Sequence, residues 1–335
     1  MTDPYDAVFL VSFGGPEKPG DVVPFLENVL RGTNVPKPRI LQVAKRYELF
    51  GGVSPANGQC RALLAALVTE LNAHGPQLPV YWGNRNWHPL LADALRQMAD
   101  DGIRRALAFV TSPFGSYSGC RQYREDIQRA REAVGAGAPE VDKLRLFYNH
   151  PGFIEPMAQR VEAALEELPA ERRTGARILF TAHSLPTTMA RKSPYQEQLR
   201  EACRLVADRL GRSDWQQVYQ SRSGPPSEPW LKPDIADFLR ELAEAGDVRD
   251  VVLVPIGFQH ENMELAFDLD VEVAELCDNL GVNMVRSAAV GSHPRFVTMI
   301  RELIRERIDD HPTRLALGTH GPSGDVCPAD CCPRG

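Results

Sequence analysis

The sequence predicts an α/β fold with two parallel sheets flanked by helices. Short apolar runs suited to buried strands recur along the chain and alternate with segments of helical periodicity, which is the pattern of parallel α/β architecture. Two sheets are expected rather than one barrel, because the helical segments are uneven and one loop is very long. Small, aromatic and polar residues gather just after the strands, at the edge where open α/β sheets bind ligands. An edge of this composition suits a wide, flat and partly apolar ligand.

Each strand is assigned from an apolar run, and each helix from its periodicity and flanking residues. The expected strands are Ala7–Ser12, Val80–Trp82, Ala106–Thr111, Leu144–Phe147, Ile178–Ala182, Gln217–Gln220, Val251–Ile256 and Met284–Ala288. The expected helices are Ala62–His74, Leu90–Asp101, Tyr123–Val134, Glu155–Glu167, Tyr195–Leu210, Asp234–Ala245, Met263–Leu280 and Arg295–Arg307. A loop-rich insertion is expected between Leu30 and Cys60, of the kind that often forms a lid or a binding loop.

The composition is that of a globular protein with a large core. The chain has 335 residues, of which 43% are hydrophobic and 24% charged, and its formal net charge is −6. A net negative charge without a basic run argues against nucleic acid and anionic membranes as general partners. No apolar stretch approaches the roughly 20 residues that span a bilayer, so no transmembrane segment is expected. The N-terminus has neither a basic start nor an apolar signal core, which favours the cytoplasm.

The stretch Leu179–Pro186 is the most informative in the chain. Its first part predicts a buried strand, and the chain then breaks at Ser-Leu-Pro, because the residue before proline avoids the helical conformation. His183 is therefore expected at the carboxyl end of a parallel strand. An apolar cleft would keep its imidazole neutral, as a base or a metal ligand must be. A lone histidine can also be structural, but this position favours chemistry.

A second candidate is the stretch Pro255–Glu272, which predicts a strand, a turn and the start of a helix. Its acidic residues are spaced by three or four and should line one side of that helix. One interpretation is an ordinary solvated acidic face. The other follows from the sheet edge shared with His183, where carboxylates can bind a divalent cation and take up protons. The acidic residues are Glu261, Glu264, Asp268, Glu272 and Glu275.

Several common motifs do not occur in the sequence. There is no Gly-x-Gly-x-x-Gly after the first strand and no Walker-type Gly-Lys-Ser/Thr, so dinucleotide and nucleoside triphosphate binding lack their usual anchor. There is also no Gly-x-Ser-x-Gly elbow for a hydrolase.

The ordered motifs of the chain resemble those of the ferrochelatases, most closely the actinobacterial coproporphyrin III ferrochelatases. The match runs from Asp6 to about Arg307, and the order and spacing of its motifs make it specific. The matching stretches are Val11–Pro16, Arg46-Tyr47 with Gly51–Pro55, Trp82–Trp87, Ser116–Arg124, Phe180–Pro186, Tyr219–Pro225 and Trp230–Asp234.

The resemblance implies a chelatase-like fold of two Rossmann-like domains with a porphyrin in the cleft between them. The expected first half comprises residues 1–115 and the closing C-terminal helix within 290–310, which packs back on it. The expected second half, residues 116–289, contains His183 and Glu264, and a cysteine-containing tail follows at 311–335. The resemblance leaves the oligomeric state open, and we expect a monomer.

The resemblance also implies the site residues. His183 and Glu264 match the catalytic, metal-binding pair, and Asp268, Glu272 and Glu275 are expected as the path by which iron approaches. Residues that grip the porphyrin or line its pocket are Phe13, Arg31, Arg46, Tyr47, Ser54 and Tyr123. Related enzymes often have a tyrosine at the position of Phe13, and phenylalanine cannot ligate iron.

The implied reaction is the insertion of ferrous iron, as substrate, into coproporphyrin III, which yields coproheme in haem biosynthesis. One departure is Asn262, which stands where the family usually has a histidine and cannot take up a proton at physiological pH. The alternatives are a protoporphyrin IX ferrochelatase, a non-catalytic tetrapyrrole or haem carrier, and a chelatase for another ring or metal, such as cobalt.

The cysteine-rich tail resembles the C-terminal ligand group of ferrochelatases that hold a [2Fe–2S] cluster. Such a cluster needs four ligands, and the tail supplies Cys327, Cys331 and Cys332. Pro156 stands near the usual place of the internal ligand, so Cys120 or another internal cysteine is the candidate for the fourth. The alternative is a loose, thiol-rich chain end.

Overall fold

The computed structural model describes residues 4–33, 35–224, 227–246, 248–309 and 313–334. Pro225, the last residue of one matched motif, lies outside the described residues, as do residues 310–312 at the expected start of the tail.

The chain forms two four-stranded sheets in which every paired strand is parallel. The first sheet has the order β2-β1-β3-β4, and the second has the order β6-β5-β7-β8. The predicted α/β class with two parallel sheets is confirmed. The strands are β1 (Ala7–Ser12), β2 (Val80–Asn84), β3 (Arg105–Val110), β4 (Glu140–Lys143), β5 (Arg177–His183), β6 (Trp215–Gln220), β7 (Asp250–Val254) and β8 (Asn283–Arg286).

Helices flank both sheets, and two π-helical segments, Tyr117–Arg121 and Leu265–Val273, precede α5 and α10. The α-helices are α1 (Val22–Val29), α2 (Lys37–Glu48), α3 (Ala56–His74), α4 (Leu91–Asp100), α5 (Gln122–Val134), α6 (Pro151–Glu166), α7 (Thr187–Ala190), α8 (Tyr195–Arg209), α9 (Ile235–Ala245), α10 (Ala274–Leu280) and α11 (Pro294–Ile308). Among the described residues, no helix is both long and apolar enough to cross a bilayer.

The prediction of a strand at Leu144–Phe147 is wrong. The strand that pairs with β3 is Glu140–Lys143. It is a polar stretch at the edge of the sheet, where the strand has a neighbour along one long edge only and is less covered than a central strand. In the apolar run after it, the Leu144 amide still donates to the Ala108 carbonyl of β3 at 2.9 Å, but the run is buried in the core outside the strand. Because β4 belongs to the first sheet, that sheet extends past residue 115, where the first half was expected to end.

The prediction of an irregular insertion between Leu30 and Cys60 is also wrong in part. Lys37–Glu48 forms α2, and α3 begins at Ala56 instead of Ala62. Both α1 and α2 bury short apolar faces against each other and against Met263 of the second half. These faces are short, and the prolines and glycines around them hid the helical periodicity.

The C-terminal helix α11 closes the molecule. It packs on α3 of the first half and on α6, which leads into the second half, and Arg301 Nε lies 2.8 Å from Glu70 Oε1 on α3. The tail after α11 is not a loose chain end in its described part. The Leu317 amide donates to the Asn149 carbonyl at 2.8 Å, and the Asn149 side chain donates to the Gly321 carbonyl at 2.8 Å.

His150, at the start of α6, should make the protein sensitive to mild acid. It is fully buried, and its Nδ1 accepts a hydrogen bond from the Gly152 amide at 3.0 Å. Burial, with Arg145 and Arg295 nearby, lowers the pKa of His150 to about 3. In the unfolded chain this histidine protonates near pH 6.5. The stability that the buried, neutral His150 contributes is therefore fully present above pH 6.5 and is lost as the pH falls towards 3. The wild type should lose about 2 kcal/mol through this group between pH 7 and pH 5.

The variant His150→Asn keeps a side-chain acceptor for the helix cap and removes the titrating ring. Urea unfolding at pH 7 and pH 5 should show a correspondingly smaller acid loss in this variant, with His74→Asn at an exposed position as the control. Equal acid losses in the variant and the wild type would contradict this account.

Candidate active site

The ends of β5 and β7 bring His183 and Glu264 face to face. His183 is the last residue of β5, and Glu264 follows the loop after β7 and immediately precedes the π-helix Leu265–Val273. The distance from His183 Nε2 to Glu264 Oε1 is 3.6 Å, and their side chains are 32% and 47% exposed. Both groups are therefore open to a ligand between the two halves.

The hydrogen bonding of His183 leaves its other ring nitrogen ready for chemistry. Nδ1 lies against the Ser184 carbonyl oxygen, which can only accept, so Nδ1 carries the proton in the neutral ring. The Tyr195 hydroxyl donates to the backbone carbonyl of His183 at 2.9 Å and so fixes the backbone at the end of β5. Nε2 then presents a lone pair towards Glu264, where a metal ion or a proton can bind.

The loop before Glu264 is fixed by close packing and by its own hydrogen bonds. A Cβ on Gly257 would lie 2.6 Å from the Ala182 Cβ, so only glycine lets this loop cross β5 next to His183. Gln259 binds the Gly291 carbonyl at 2.7 Å. Asn262, the departure from the usual histidine, accepts from the Leu265 amide at 3.1 Å and so caps the helix. Asn262 therefore has a structural role as a helix cap, for which an amide side chain is suited.

The acidic stripe is partly assembled as expected. Glu264, Asp268 and Glu272 follow one another at intervals of four along a π-helix, whose wider turn brings such residues into line. Glu275 continues the series, because its charge acts on Glu272. Glu261 does not join it, since its carboxylate lies 3.1 Å from Arg286 and accepts from the Ala289 amide at 2.8 Å.

Desolvation raises the pKa values of three carboxylates in the stripe, those of Glu264, Asp268 and Glu272. Burial raises the pKa of Glu264, which His183 lowers and Asp268 raises further. Burial also raises the pKa of Asp268, against the Ser221 hydrogen bond and the Arg46 charge. A divalent cation that enters this stripe supplies the missing positive charge and would lower these pKa values.

Arg46 connects the first half to the stripe. Its guanidinium lies 3.5 Å from Asp268 Oδ1 and 3.8 Å from Glu272 Oε1, and it covers the Phe267 ring at 4.3 Å. The residue expected to contact the porphyrin therefore lies beside the stripe, where it also balances the carboxylates.

The other expected pocket residues differ in how deeply their side chains are buried. Phe13 is 38% exposed at the end of β1, its ring 6.2 Å from that of Phe25, and Arg31 is exposed and donates to Asn28. Tyr47 is buried, and the Glu264 charge acts on its hydroxyl across the cleft. Two residues lie deeper still, because both are at most 5% exposed: Ser54 and Tyr123.

Arg85 lies against two expected pocket residues, and the sequence analysis did not single it out. It is almost fully buried, lies 2.6 Å from Asp126, and its guanidinium stacks 4.5 Å from the Tyr123 ring and 5.6 Å from Phe13. This buried arginine lies between the two predicted pocket residues and supports the Phe13 ring from inside the protein. Its place in the Trp82–Trp87 motif, directly after a strand, was the available signal.

A buried pair, Cys60 and His260, joins the two halves below the cleft. The two side chains interact electrostatically, and Ser12 at the end of β1 also acts on Cys60. The imidazole lowers the pKa of the Cys60 thiol against the effect of burial. His260 lies in the Glu264 loop, so this contact helps to place that loop against the first half.

The predicted cluster ligands Cys327, Cys331 and Cys332 lie together beside Cys120. In the part of the chain that the structure describes, no three His, Cys, Asp or Glu side chains are arranged around a single metal ion.

Comparison with known proteins identifies the family. The ferrochelatase family model matches residues 5–308. A ferrochelatase of Rhodopirellula baltica is 56% identical over 98% of this chain and 93% of its own length. A coproporphyrin III ferrochelatase of Streptomyces coelicolor is 51% identical over 98% of this chain and 94% of its own.

Solved structures agree on the fold alone. The sirohydrochlorin chelatase SirB of Bacillus subtilis subspecies spizizenii, in complex with cobalt, has a TM-score of 0.52 at 12% identity, covering 91% of this chain and 95% of that one. With the matched family model and relatives of more than half identical sequence, the chain belongs to the ferrochelatase family.

Proposed function

We propose that this protein inserts ferrous iron into coproporphyrin III to give coproheme in haem biosynthesis. The observation that carries the proposal is the 3.6 Å separation of His183 Nε2 and Glu264 Oε1 at the carboxyl ends of β5 and β7 in the second sheet. An imidazole lone pair and a carboxylate that share one opening can receive protons and iron together. The Streptomyces coelicolor relative named for the same ring supports the choice of substrate.

The reaction exchanges two pyrrole protons for one ferrous ion, so the site must accept two protons. His183 Nε2 takes one proton from the ring and Glu264 takes the other, after Glu264 has passed iron to the ring nitrogens or as a neighbouring carboxylate of the stripe passes it. Asp268, Glu272 and Glu275 form the approach, where carboxylates replace the water shell of the cation step by step. Distortion of the macrocycle exposes the nitrogen lone pairs, and binding elsewhere on the ring offsets that strain.

The substituents of the ring separate the two candidate substrates. Coproporphyrin III has two more propionates than protoporphyrin IX, and arginine forks suit carboxylates. Arg46 at the cleft and Arg31 on the exposed rim are the cations expected to bind them. Phe13 packs against the ring face without ligating the product iron.

An anaerobic assay with both rings tests this proposal. Protein, ferrous iron and either coproporphyrin III or protoporphyrin IX are mixed, and metalloporphyrin is followed by absorbance. We expect multiple turnovers that are faster with coproporphyrin III. Faster turnover with protoporphyrin IX would change the substrate, and binding spectra without turnover would indicate a carrier. Cobalt and a sirohydrochlorin-type ring in the same assay test the remaining alternative.

We also propose that the tail cysteines hold a [2Fe–2S] cluster and that the enzyme works in the cytoplasm. All seven cysteines are free thiols, which suits a reducing compartment. The porphyrin would lie between a half built on β1–β4, closed by α11, and a half built on β5–β8.

A further inference from the structure

One guanidinium beside the acidic stripe has two sets of carboxylates to bind. Arg46 lies on α2 of the first half, and its side chain reaches the π-helix of the second half. Nη1 lies 3.5 Å from Asp268 Oδ1, and Nη2 lies 3.8 Å from Glu272 Oε1. Under the proposed function, the same side chain also binds a carboxylate of the porphyrin. A single positive charge therefore serves both partners, and binding to one affects binding to the other.

The contacts that hold Arg46 on the stripe are loose. Charge-assisted hydrogen bonds are usually about 2.7–2.9 Å long, as in the buried pair of Arg145 with Glu306 at 2.7 and 2.9 Å, and both distances from Arg46 are longer. The side chains of Arg46 and Glu272 are 36% and 53% exposed, and exposed ion pairs stabilise a protein little. The contact with the Phe267 ring at 4.3 Å has no fixed acceptor atom, so it allows the guanidinium to turn.

Asp268 has a second partner that holds it in place without Arg46. Its other oxygen, Oδ2, accepts a hydrogen bond from the Ser221 hydroxyl, and its side chain is only 11% exposed. If Arg46 moves away, Oδ1 becomes free while Ser221 still orients the carboxylate. A carboxylate that is already oriented is a better metal ligand than a mobile one.

A ferrous ion and the Arg46 guanidinium compete for the same oxygens. Carboxylates suit divalent cations, and the guanidinium lies within 4 Å of both Asp268 and Glu272. A divalent ion bound there would be repelled by this like charge at close range. Tight metal binding therefore requires Arg46 to move. A propionate of coproporphyrin III offers the guanidinium a partner of matching charge and shape.

We propose that Arg46 couples the binding of the two substrates. It neutralises Asp268 and Glu272 while the porphyrin site is empty, and a porphyrin carboxylate draws it away and frees both side chains for ferrous iron. The inference rests on the proposed function and deepens it, because it makes Arg46 a positioning residue that controls metal access. The ring should tighten metal binding, and by thermodynamic linkage the metal should tighten ring binding by the same factor.

The test measures Co²⁺ binding to the full-length protein by calorimetry, with and without copper coproporphyrin III. The copper complex has the same propionates as the substrate, and its filled centre takes no second metal, so binding is measured without turnover. The ring should raise the Co²⁺ affinity of the wild type at least about fivefold. Arg46→Gln should bind Co²⁺ more tightly than the wild type without the ring, and the ring should then change its affinity by less than about twofold.

Arg31→Gln is the matched control. It removes another arginine expected to bind a porphyrin carboxylate, but Arg31 donates to Asn28 on α1 and leaves Arg46 on the stripe. This variant should keep the weak Co²⁺ binding of the wild type without the ring and should keep the enhancement when the ring is saturating. Circular dichroism confirms that both variants fold.

The possible results separate the coupling from the reaction. Equal Co²⁺ affinities of the wild type with and without the ring would overturn the coupling, even if the anaerobic assay shows turnover. An enhancement that survives in Arg46→Gln, or weaker ring-free Co²⁺ binding by this variant, would overturn the role of Arg46, since a merely structural arginine would lower the affinity when removed. A protein that binds no ring would refute both proposals. Coupling without iron insertion would support the role of Arg46 and refute the proposed activity.

Discussion

Replacement of His183 by alanine is expected to slow iron insertion by about 10²–10⁴-fold, the usual contribution of a positioned acid–base group. The variant removes Nε2, which lies 3.6 Å from Glu264 Oε1. The other residues proposed to contact the porphyrin are unchanged, so porphyrin affinity should change little. Stopped-flow absorbance under anaerobic conditions measures the rate, and quenching of porphyrin fluorescence measures binding.

Glu264→Gln provides the second arm of this experiment. Glutamine keeps the size of the side chain but cannot take up a proton or bind iron as a carboxylate does. Its rate should fall to a similar degree, and the double variant with His183→Ala should lose little more, because residues that act as a unit are not additive. Glu275→Gln, at the exposed end of the stripe, is the control and should alter mainly the dependence on iron concentration. Rapid turnover by His183→Ala would refute the assignment.

The position of His183 was predictable because it depends on local sequence. An apolar run followed by Ser-Leu-Pro indicates where a strand ends, and the carboxyl ends of parallel strands meet at one edge. The sequence pattern placed Glu264 near the same edge as one of five acidic residues, and the family resemblance singled it out. The distance between the two residues was not predictable, because it depends on the close crossing of Gly257 over Ala182, which lie 75 residues apart.

The features that the sequence analysis missed depend on contacts between distant segments. The edge strand Glu140–Lys143 lacks an apolar run because an edge strand needs less cover. Arg85 is buried because Asp126 and two aromatic rings surround it, none of which is its sequence neighbour. The sequence analysis named Cys120 only as one of several internal cysteines, and the docked tail is what places Cys327 beside it.

Replacement of Glu306 by alanine is expected to destabilise the folded protein by about 3–5 kcal/mol. Glu306 of α11 and Arg145 are 6% and 3% exposed, and they form two parallel hydrogen bonds of 2.7 and 2.9 Å. Without the carboxylate, a buried guanidinium loses its countercharge. Urea unfolding measures the loss, and Asp237→Ala, in the exposed pair with Arg240 at 3.2 Å, should cost at most about 1 kcal/mol.

A double variant separates the cost of an unpaired charge from the value of the pair itself. Glu306→Leu with Arg145→Met replaces the ion pair by apolar side chains and should recover most of the stability that Glu306→Ala loses, because a buried pair gains little over good packing. The recovery should be incomplete, since Arg145 also donates to the Leu315 carbonyl at 2.9 Å. If the double variant is as unstable as Glu306→Ala, the loss comes from packing of α11 and the unpaired charge is not its cause.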